Sequence, residues 1–273
     1  NKSPKRGEER LMKVQSVVGI ATSLAVMALL AGPAAARNVE IEFDASNFTP
    51  GAQIDNQYWP LIAGTTFVYT AEEDDGCVVE KLTVTGDTKS DFGGAYSSIV
   101  AWVIDERSWI SEECDGDYVL EEETLDWYAQ DNAGNIWYFG EDTLSYGDEE
   151  ECPDAGGSWQ AGEDGAEAGV IMLAEPRVGD AYQQEFFEDE AEDRGKVLRL
   201  NATVAIEVGT FAGCLKTKEW SPLSPGSVEH KYYCPSGGGL MLVNELHGGT
   251  VRVEFIGSTL PAGDFATAGV CGD

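Results

Sequence analysis

The chain has 273 residues, of which 49 are Asp or Glu and 17 are Lys or Arg, so its formal net charge at pH 7 is -32. Its 42% hydrophobic content is enough for a sizeable core, which argues against general disorder. Nucleic acid is excluded as an expected partner, because phosphate recognition depends on clustered Lys and Arg. Two histidines leave little material for a three-histidine zinc site or a His-based triad.

The first segment reads as an export signal. Met12 and Lys13 open a short basic region, residues 17–30 are almost entirely apolar, and alanines occupy 34–36. The apolar run is shorter than the roughly 20 residues of a membrane span, and no comparable run follows. We therefore expect a periplasmic or extracellular protein whose mature chain does not insert into a membrane.

This interpretation divides the chain into three parts. They are an upstream extension at 1–11, a signal peptide at 12–36 with cleavage near Ala36, and a single disulfide-stabilised β domain at 37–273.

From Gly64 onward, short β-rich runs alternate with Gly, Asp, Asn and Pro, and helical periodicity is weak. The pattern predicts an all-β protein, an antiparallel meander of about ten to twelve strands curled into a barrel, half-barrel or sandwich. Residues 38–63 and 146–167 read as irregular. The predicted strands are 65–72, 78–86, 97–107, 117–130, 136–144, 169–174, 181–188, 197–208, 210–219, 228–234, 240–246 and 250–256.

One predicted hairpin, with its turn at 131–135, carries aromatic residues on both faces, because neighbouring side chains on a strand point in opposite directions. One face can be core, and the other must be covered by protein or line a ligand cavity. A core on both faces is the structural alternative. The candidate ligand-binding residues are Trp127, Tyr128, Trp137, Tyr138 and Phe139.

All six cysteines follow residue 36, and an even number in an exported chain predicts three disulfides. If Cys214 and Cys234 are bonded across two antiparallel strands, Glu219 faces Glu229. Two opposed carboxylates are destabilising unless a cation or a proton relieves them, so this pair is a candidate metal or acid/base position. Lys231, on the same face, is an equally adequate structural neutraliser.

The other four cysteines are assigned by their place along the chain. Cys114 and Cys152 flank the same end of the aromatic hairpin and are expected to pair. Cys77 and Cys271 are then left to each other.

Three strings together resemble a group of uncharacterised exported bacterial proteins, over most of the mature chain. They are IDNQYWPL at 54–61, DWYAQD at 126–131 with GNIWYFGE at 134–141, and EHKYY at 229–233. The resemblance implies an exported β-rich protein and no particular activity. The polar residues of these strings are the ones to test, and they are Asp126, Glu141, Glu229 and His230.

Together these observations favour a non-enzymatic binding protein that holds a small or apolar ligand in an aromatic-lined concavity. A divalent cation, with Ca2+ as the candidate cofactor, would be held by Asp126, Glu141, Glu219 and Glu229. The alternatives are a carboxylate-dependent hydrolase acting on carbohydrate and a structural envelope or surface component. The oligomeric state is left open.

Overall fold

Nearly all regular structure in the computed structural model is β-strand. The structure describes residues 37–73, 76–146, 153–154, 156–246 and 250–267. The strands are β1 (Arg37–Asn38), β2 (Thr66–Glu73), β3 (Gly76–Lys89), β4 (Ala101–Ser111), β5 (Asp117–Gln130), β6 (Ile136–Ser145), β7 (Trp159–Gln160), β8 (Glu167–Met172), β9 (Asp180–Gln183), β10 (Glu185–Phe186), β11 (Arg194–Ile206), β12 (Gly209–Trp220), β13 (Glu229–Cys234), β14 (Gly239–Glu245), β15 (Val251–Gly257) and β16 (Asp264–Phe265). Three 3-10 helices span Ala45–Asn47, Gly94–Tyr96 and Pro235–Gly237.

These strands form one sheet that does not close, which confirms the predicted all-β class. Its order is β1-β9-β11-β12-β13-β14-β15-β2-β3-β4-β5-β6-β8-β10, with β16 on β5 and β7 on β6. Two antiparallel meanders are therefore joined edge to edge where β15 pairs with β2. The sheet is mixed rather than purely antiparallel, because β1 runs parallel to β9 and β16 runs parallel to β5. The predicted strand 181–188 is divided between β9 and β10.

The sheet curls, because one side chain reaches strands that lie far apart in its order. The Trp59 ring lies 5.4 Å from the Tyr128 ring on β5 and 5.9 Å from the Tyr233 ring on β13. Ile54 and Leu61, which flank Trp59 in sequence, are fully buried. The segment 54–61, predicted to be irregular, therefore covers one end of the inner face of the curled sheet.

The Cys214–Cys234 disulfide is present as expected and joins β12 to β13. Leu215 pairs with Tyr233 and Glu219 with Glu229, which is the register that this bond implies. A second disulfide joins Cys77 to Cys114, so the predicted Cys114–Cys152 and Cys77–Cys271 pairs are wrong. Cys77 pairs with Ser111 at the end of the β3–β4 ladder, which brings it beside the turn that holds Cys114.

Cys152 and Cys271 lie outside the described residues, as does the whole of 1–36. Disulfides are typical of oxidising, exported compartments, so the two bonds indicate an exported protein. None of the helices in the described ranges has the length and hydropathy to cross a membrane.

Replacing both Cys214 and Cys234 by Ser should reduce the free energy of unfolding by about 2–4 kcal/mol, because the bond restricts the unfolded chain. The measurement is denaturant unfolding of the wild type and the double variant. An unchanged midpoint, or two free thiols at these positions in the wild type by mass spectrometry, would contradict the prediction.

Candidate functional site

The five aromatic residues of the predicted ligand site pack against other protein rings. Trp127 contacts Phe92, and Lys89 Nζ lies 4.4 Å from its ring centroid. The remaining contacts are those of Tyr128 with Trp59 and Tyr138, of Trp137 with Phe43 and Phe48, of Tyr138 with Trp159, and of Phe139 with Phe43, Phe48, Phe92 and Tyr96. All five are buried, so both faces of the hairpin are core. Trp137 also borders a cavity of about 330 Å³ beside β8 and β9.

Phe139→Ala should cost about 3–5 kcal/mol of unfolding free energy, because Phe139 is fully buried in an aromatic cluster. Val119→Ala, on the neighbouring β5, should cost far less, since Val119 is 59% exposed. Thermal unfolding of both variants measures the difference. A similar melting temperature for the two would show that the Phe139 ring contributes little packing.

The inner face of the curled sheet carries a second feature, which we call the acidic concavity. Along each strand, its residues alternate with residues that point outward. The register sets Glu80 opposite Tyr69 and Asp126 opposite Glu141, and residues that are directly opposite each other lie on the same face. The acidic concavity consists of Glu80, Glu106, Asp126, Glu141, Glu185, Asp193, Glu219, Glu229 and Glu245 around Lys231.

Lys231 bridges the two opposed carboxylates of the β12–β13 hairpin. Its Nζ lies 3.2 Å from Glu219 Oε2 and 3.1 Å from Glu229 Oε2. The other Glu219 oxygen, Oε1, accepts hydrogen bonds from Thr217 Oγ1 at 2.6 Å and from the Tyr233 hydroxyl at 3.3 Å. The Glu219–Glu229 pair is therefore relieved by an internal ammonium, which is the structural alternative that the sequence left open.

A tyrosine hydroxyl links Asp126 and Glu141, the other two predicted metal ligands. The Tyr138 hydroxyl lies 2.7 Å from Asp126 Oδ1 and 2.9 Å from Glu141 Oε2. One hydroxyl donates only one proton, so both contacts are hydrogen bonds only when one of the two carboxyl groups is itself protonated. The raised pKa values of Asp126 and Glu141 favour a protonated carboxyl group as the second donor.

Burial raises the pKa of several carboxyl groups of the acidic concavity. It raises the pKa of Glu80 to about 8, with a further contribution from the charge of Glu106. Burial likewise raises the pKa of Glu185 to about 8 and that of Glu141 to about 7. The pKa of Asp126 is held well above its usual range, by burial and then by Glu106.

The pairing of β7 with β6, beside Glu141, depends on a close approach of the two backbones. Gly140 has φ +124°, and a Cβ there would collide with the backbone of Trp159. Glycine therefore lets β7 lie against β6, opposite Glu141. The Trp159 ring then packs edge-on against Tyr138, at 5.3 Å between centroids.

One hydroxyl at this site has no partner. Tyr182 is 5% exposed, and its hydroxyl makes no hydrogen bond within the described part of the chain. Its ring lies over Gly195, where a Cβ would stand 2.7 Å from the ring and 2.9 Å from the hydroxyl. Gly195 pairs with Glu219 on the next strand, so the ring extends from β9 towards Glu219. Leaving such a group buried and unpaired is costly unless a ligand or water completes it.

A small cavity opens at the mouth of the acidic concavity. Its volume is about 140 Å³. The residues around it are Asp193, Glu219, Trp220, Ser221, Ser224, Ser227, Glu229 and Lys231. The Lys231 side chain is 27% exposed and that of Glu229 is 37% exposed, so solvent reaches the ion pairs here. Three carboxyl groups face one ammonium, which leaves an excess of negative charge.

The four predicted metal ligands are not gathered into one site. They form two pairs, Asp126 with Glu141 and Glu219 with Glu229, and each pair is occupied by a protein group. Across the described ranges, no three His, Cys, Asp or Glu side chains lie close enough to hold a metal ion. His230 faces the outer side of β13, where burial and the charges of Lys216 and Lys218 lower its pKa.

Sequence reasoning missed several members of the acidic concavity. Glu80 and Glu106 stand in strands that alternate in and out, so their place on the inner face was available from the pattern. Glu245 pairs with Glu229, one strand beyond the hairpin whose register was predicted. The sequence signal for this site is that Asp and Glu recur at inward-facing positions of several strands. The high acidity of the whole chain masks this signal.

Comparison with known proteins does not assign the chain to a family. No protein-family model and no curated protein matches the chain. Among solved structures it is similar to a putative lipoprotein from Parabacteroides distasonis ATCC 8503, with 12% sequence identity and a TM-score of 0.32. That match covers 72% of this chain and 96% of the other.

Proposed function

We propose that this is an exported, non-enzymatic binding protein that holds a small organic cation in the acidic concavity. The observation that carries the proposal is the mouth cavity of about 140 Å³, where three carboxyl groups face a single ammonium. A volume below the usual 300–1,000 Å³ of ligand pockets suits a small amine. Burial of such a cation between carboxylates yields charge-assisted hydrogen bonds.

The same residues favour an organic cation over Ca2+. A metal ion needs several oxygen ligands at about 2.3–2.6 Å from one point. An alkyl ammonium ligand accepts wider spacing, because its hydrogen bonds are longer and its carbon chain separates the charges. The serine hydroxyls that line the mouth cavity beside the carboxylates offer further hydrogen-bond acceptors to such a ligand.

Calorimetric titration with 1,4-diaminobutane tests the proposal, with 1,4-butanediol as the uncharged analogue and CaCl2 as the metal. We expect the diamine to bind, and to bind more tightly at pH 8.5 than at pH 5.5, since the carboxyl groups with raised pKa values ionise between them. Butanediol should give no heat of binding. Diamine and butanediol affinities that are equal, or no diamine binding at either pH, would overturn the proposal.

A matched pair of variants locates the site. Asp193→Asn removes one carboxylate from the mouth without touching the Lys231 ion pairs, and should weaken diamine binding about tenfold. Glu72→Gln removes the same charge from an exposed position on β2 and should leave affinity unchanged. Equal effects of the two variants would mean that only the net charge of the protein attracts the ligand.

A second candidate function, a carboxylate-dependent hydrolase, is favoured by the contacts of the Tyr138 hydroxyl with Asp126 and Glu141, whose pKa values are both raised. A protonated carboxyl group beside an ionised one is what general acid and base catalysis requires. Incubation with nitrophenyl glycosides tests it. The hypothesis expects hydrolysis that Glu141→Gln abolishes, and it fails if the wild-type protein releases no nitrophenol.

A further inference from the structure

A cluster of basic side chains lies on the outer face of the sheet, in a chain that is otherwise strongly acidic. Five of the twelve Lys and Arg residues after position 36 fall between 194 and 218, on β11 and β12. We call this cluster the basic stripe, and its members are Arg194, Lys196, Arg199, Lys216 and Lys218. Inward neighbours such as Val197 and Thr217 are buried, which places the stripe on the opposite face.

The register sets like charges against each other within the stripe. Lys196 stands directly opposite Lys218, and Arg199 directly opposite Lys216. Such opposed pairs of equal sign are destabilising. None of the five side chains makes an ion pair or hydrogen bond with another side chain in the part of the chain that the structure describes. Four of the charges are therefore held in two repelling pairs, with no described carboxylate to offset them.

Aromatic rings and a cavity accompany these charges. Lys216 Nζ lies 5.0 Å from the Tyr232 ring centroid, and Lys218 Nζ lies 4.8 Å from that of Trp220. A cavity of about 280 Å³ is lined by Leu198, Arg199, Ala202, Thr203, Lys216 and Tyr232. Its lining contains a guanidinium, an ammonium and two hydroxyl groups, and no carboxylate.

We propose that the Arg199–Lys216 cavity binds a phosphate group of a small ligand or lipid headgroup. A guanidinium presents a planar fork of donors that fits phosphate oxygens, and an ammonium adds a point charge beside it. An anion in this cavity also offsets the repulsion between Arg199 and Lys216, which both line it. The site lies on the opposite face of the sheet from the acidic concavity and does not depend on the proposed binding of a cation.

Titration of the protein with sodium pyrophosphate at low salt is the first test, followed by flotation with phosphatidylglycerol vesicles. We expect pyrophosphate binding that weakens as salt is added, because ionic contacts are screened. Binding of pyrophosphate identifies a soluble phosphate ligand, and binding of vesicles alone identifies a lipid headgroup. Citrate that binds as tightly as pyrophosphate would overturn the phosphate assignment, and so would binding of neither probe.

Two variants of equal charge change make the test specific. Arg199→Gln with Lys216→Gln should weaken binding of the probe at least about tenfold. Lys81→Gln with Arg177→Gln removes the same charge outside the basic stripe and should change the affinity less than about twofold. Equal losses of affinity in the two double variants would mean that only the net charge of the protein attracts the anion, and would refute a specific phosphate site at Arg199 and Lys216. The stripe double variant should also melt no lower than the wild type, because it removes a repelling pair; a large drop would contradict the account of the stripe.

Discussion

Replacing Lys231 by Met should destabilise the protein by about 3–5 kcal/mol at pH 8, the usual cost of leaving a buried charge without its partner. Glu219 is 5% exposed and lies directly opposite Glu229, and Lys231 contacts both. Without the ammonium, the buried carboxylate of Glu219 faces that of Glu229 with no cation between them. Denaturant unfolding of the wild type and the Lys231→Met variant at pH 8 measures the effect.

The double variant Lys231→Met/Glu219→Gln is the control for this prediction. An amide oxygen at position 219 still accepts from Thr217 and Tyr233, and the repulsion with Glu229 disappears. The double variant should recover most of the lost stability. A single variant that costs less than about 1 kcal/mol, or a double variant that recovers nothing, would show that the ion pairs are solvated well enough to contribute little.

The β12–β13 hairpin illustrates what local sequence determines. Once Cys214 is bonded to Cys234, the antiparallel ladder fixes every opposite pair, so Glu219 opposite Glu229 follows from one covalent constraint. The predicted partner of Cys77 is wrong because the β3–β4 ladder, which joins strands outside the aromatic hairpin, determines where Cys77 lies. That ladder sets Cys77 opposite Ser111, three residues before Cys114.

The acidic concavity required information that no local pattern contains. Glu106 on β4 and Lys231 on β13 influence each other only because β15 pairs with β2 and the sheet then curls. Pairing between strands so distant in sequence depends on the whole fold. The packing of Phe43 and Phe48 against Trp137 is equally hard to predict from local sequence, because both residues come from a segment with no strand pattern. The same sequence pattern is expected for a hairpin with core on both faces and for a hairpin that lines a ligand cavity, so the sequence alone does not distinguish the two.

The protein should be more stable at pH 5.5 than at pH 8.5. The pKa of Glu80 is about 8 and that of Glu141 about 7 in the folded protein, against about 4.3 for an unfolded glutamate. Between these values the folded state binds more protons than the unfolded state, so the free energy of unfolding falls as pH rises. Below about pH 4.3 both states are protonated and this dependence ends.

Other groups leave the sign unchanged over this range. Burial also raises the pKa of Glu106, Glu185 and Glu245, which adds to the fall. The pKa of Lys231 is raised well above its ordinary value, so its contribution is lost only above the range tested. His230, whose pKa is lowered, opposes the trend near pH 6 and is one group against several.

Glu80→Gln provides the decisive comparison. Each pKa unit of difference between the two states is worth about 1.4 kcal/mol, so the wild type should lose a few kcal/mol between pH 5.5 and pH 8.5. The Glu80→Gln variant removes one of the largest contributions, and should therefore unfold with a shallower pH dependence and gain stability at pH 8.5. Glu72→Gln, exposed on β2, should keep the wild-type dependence. A wild-type melting temperature that stays flat or rises across this range would contradict the prediction, because it would mean that water fully solvates the carboxylates of the acidic concavity. The negative charge proposed to hold a cation would then be screened by solvent.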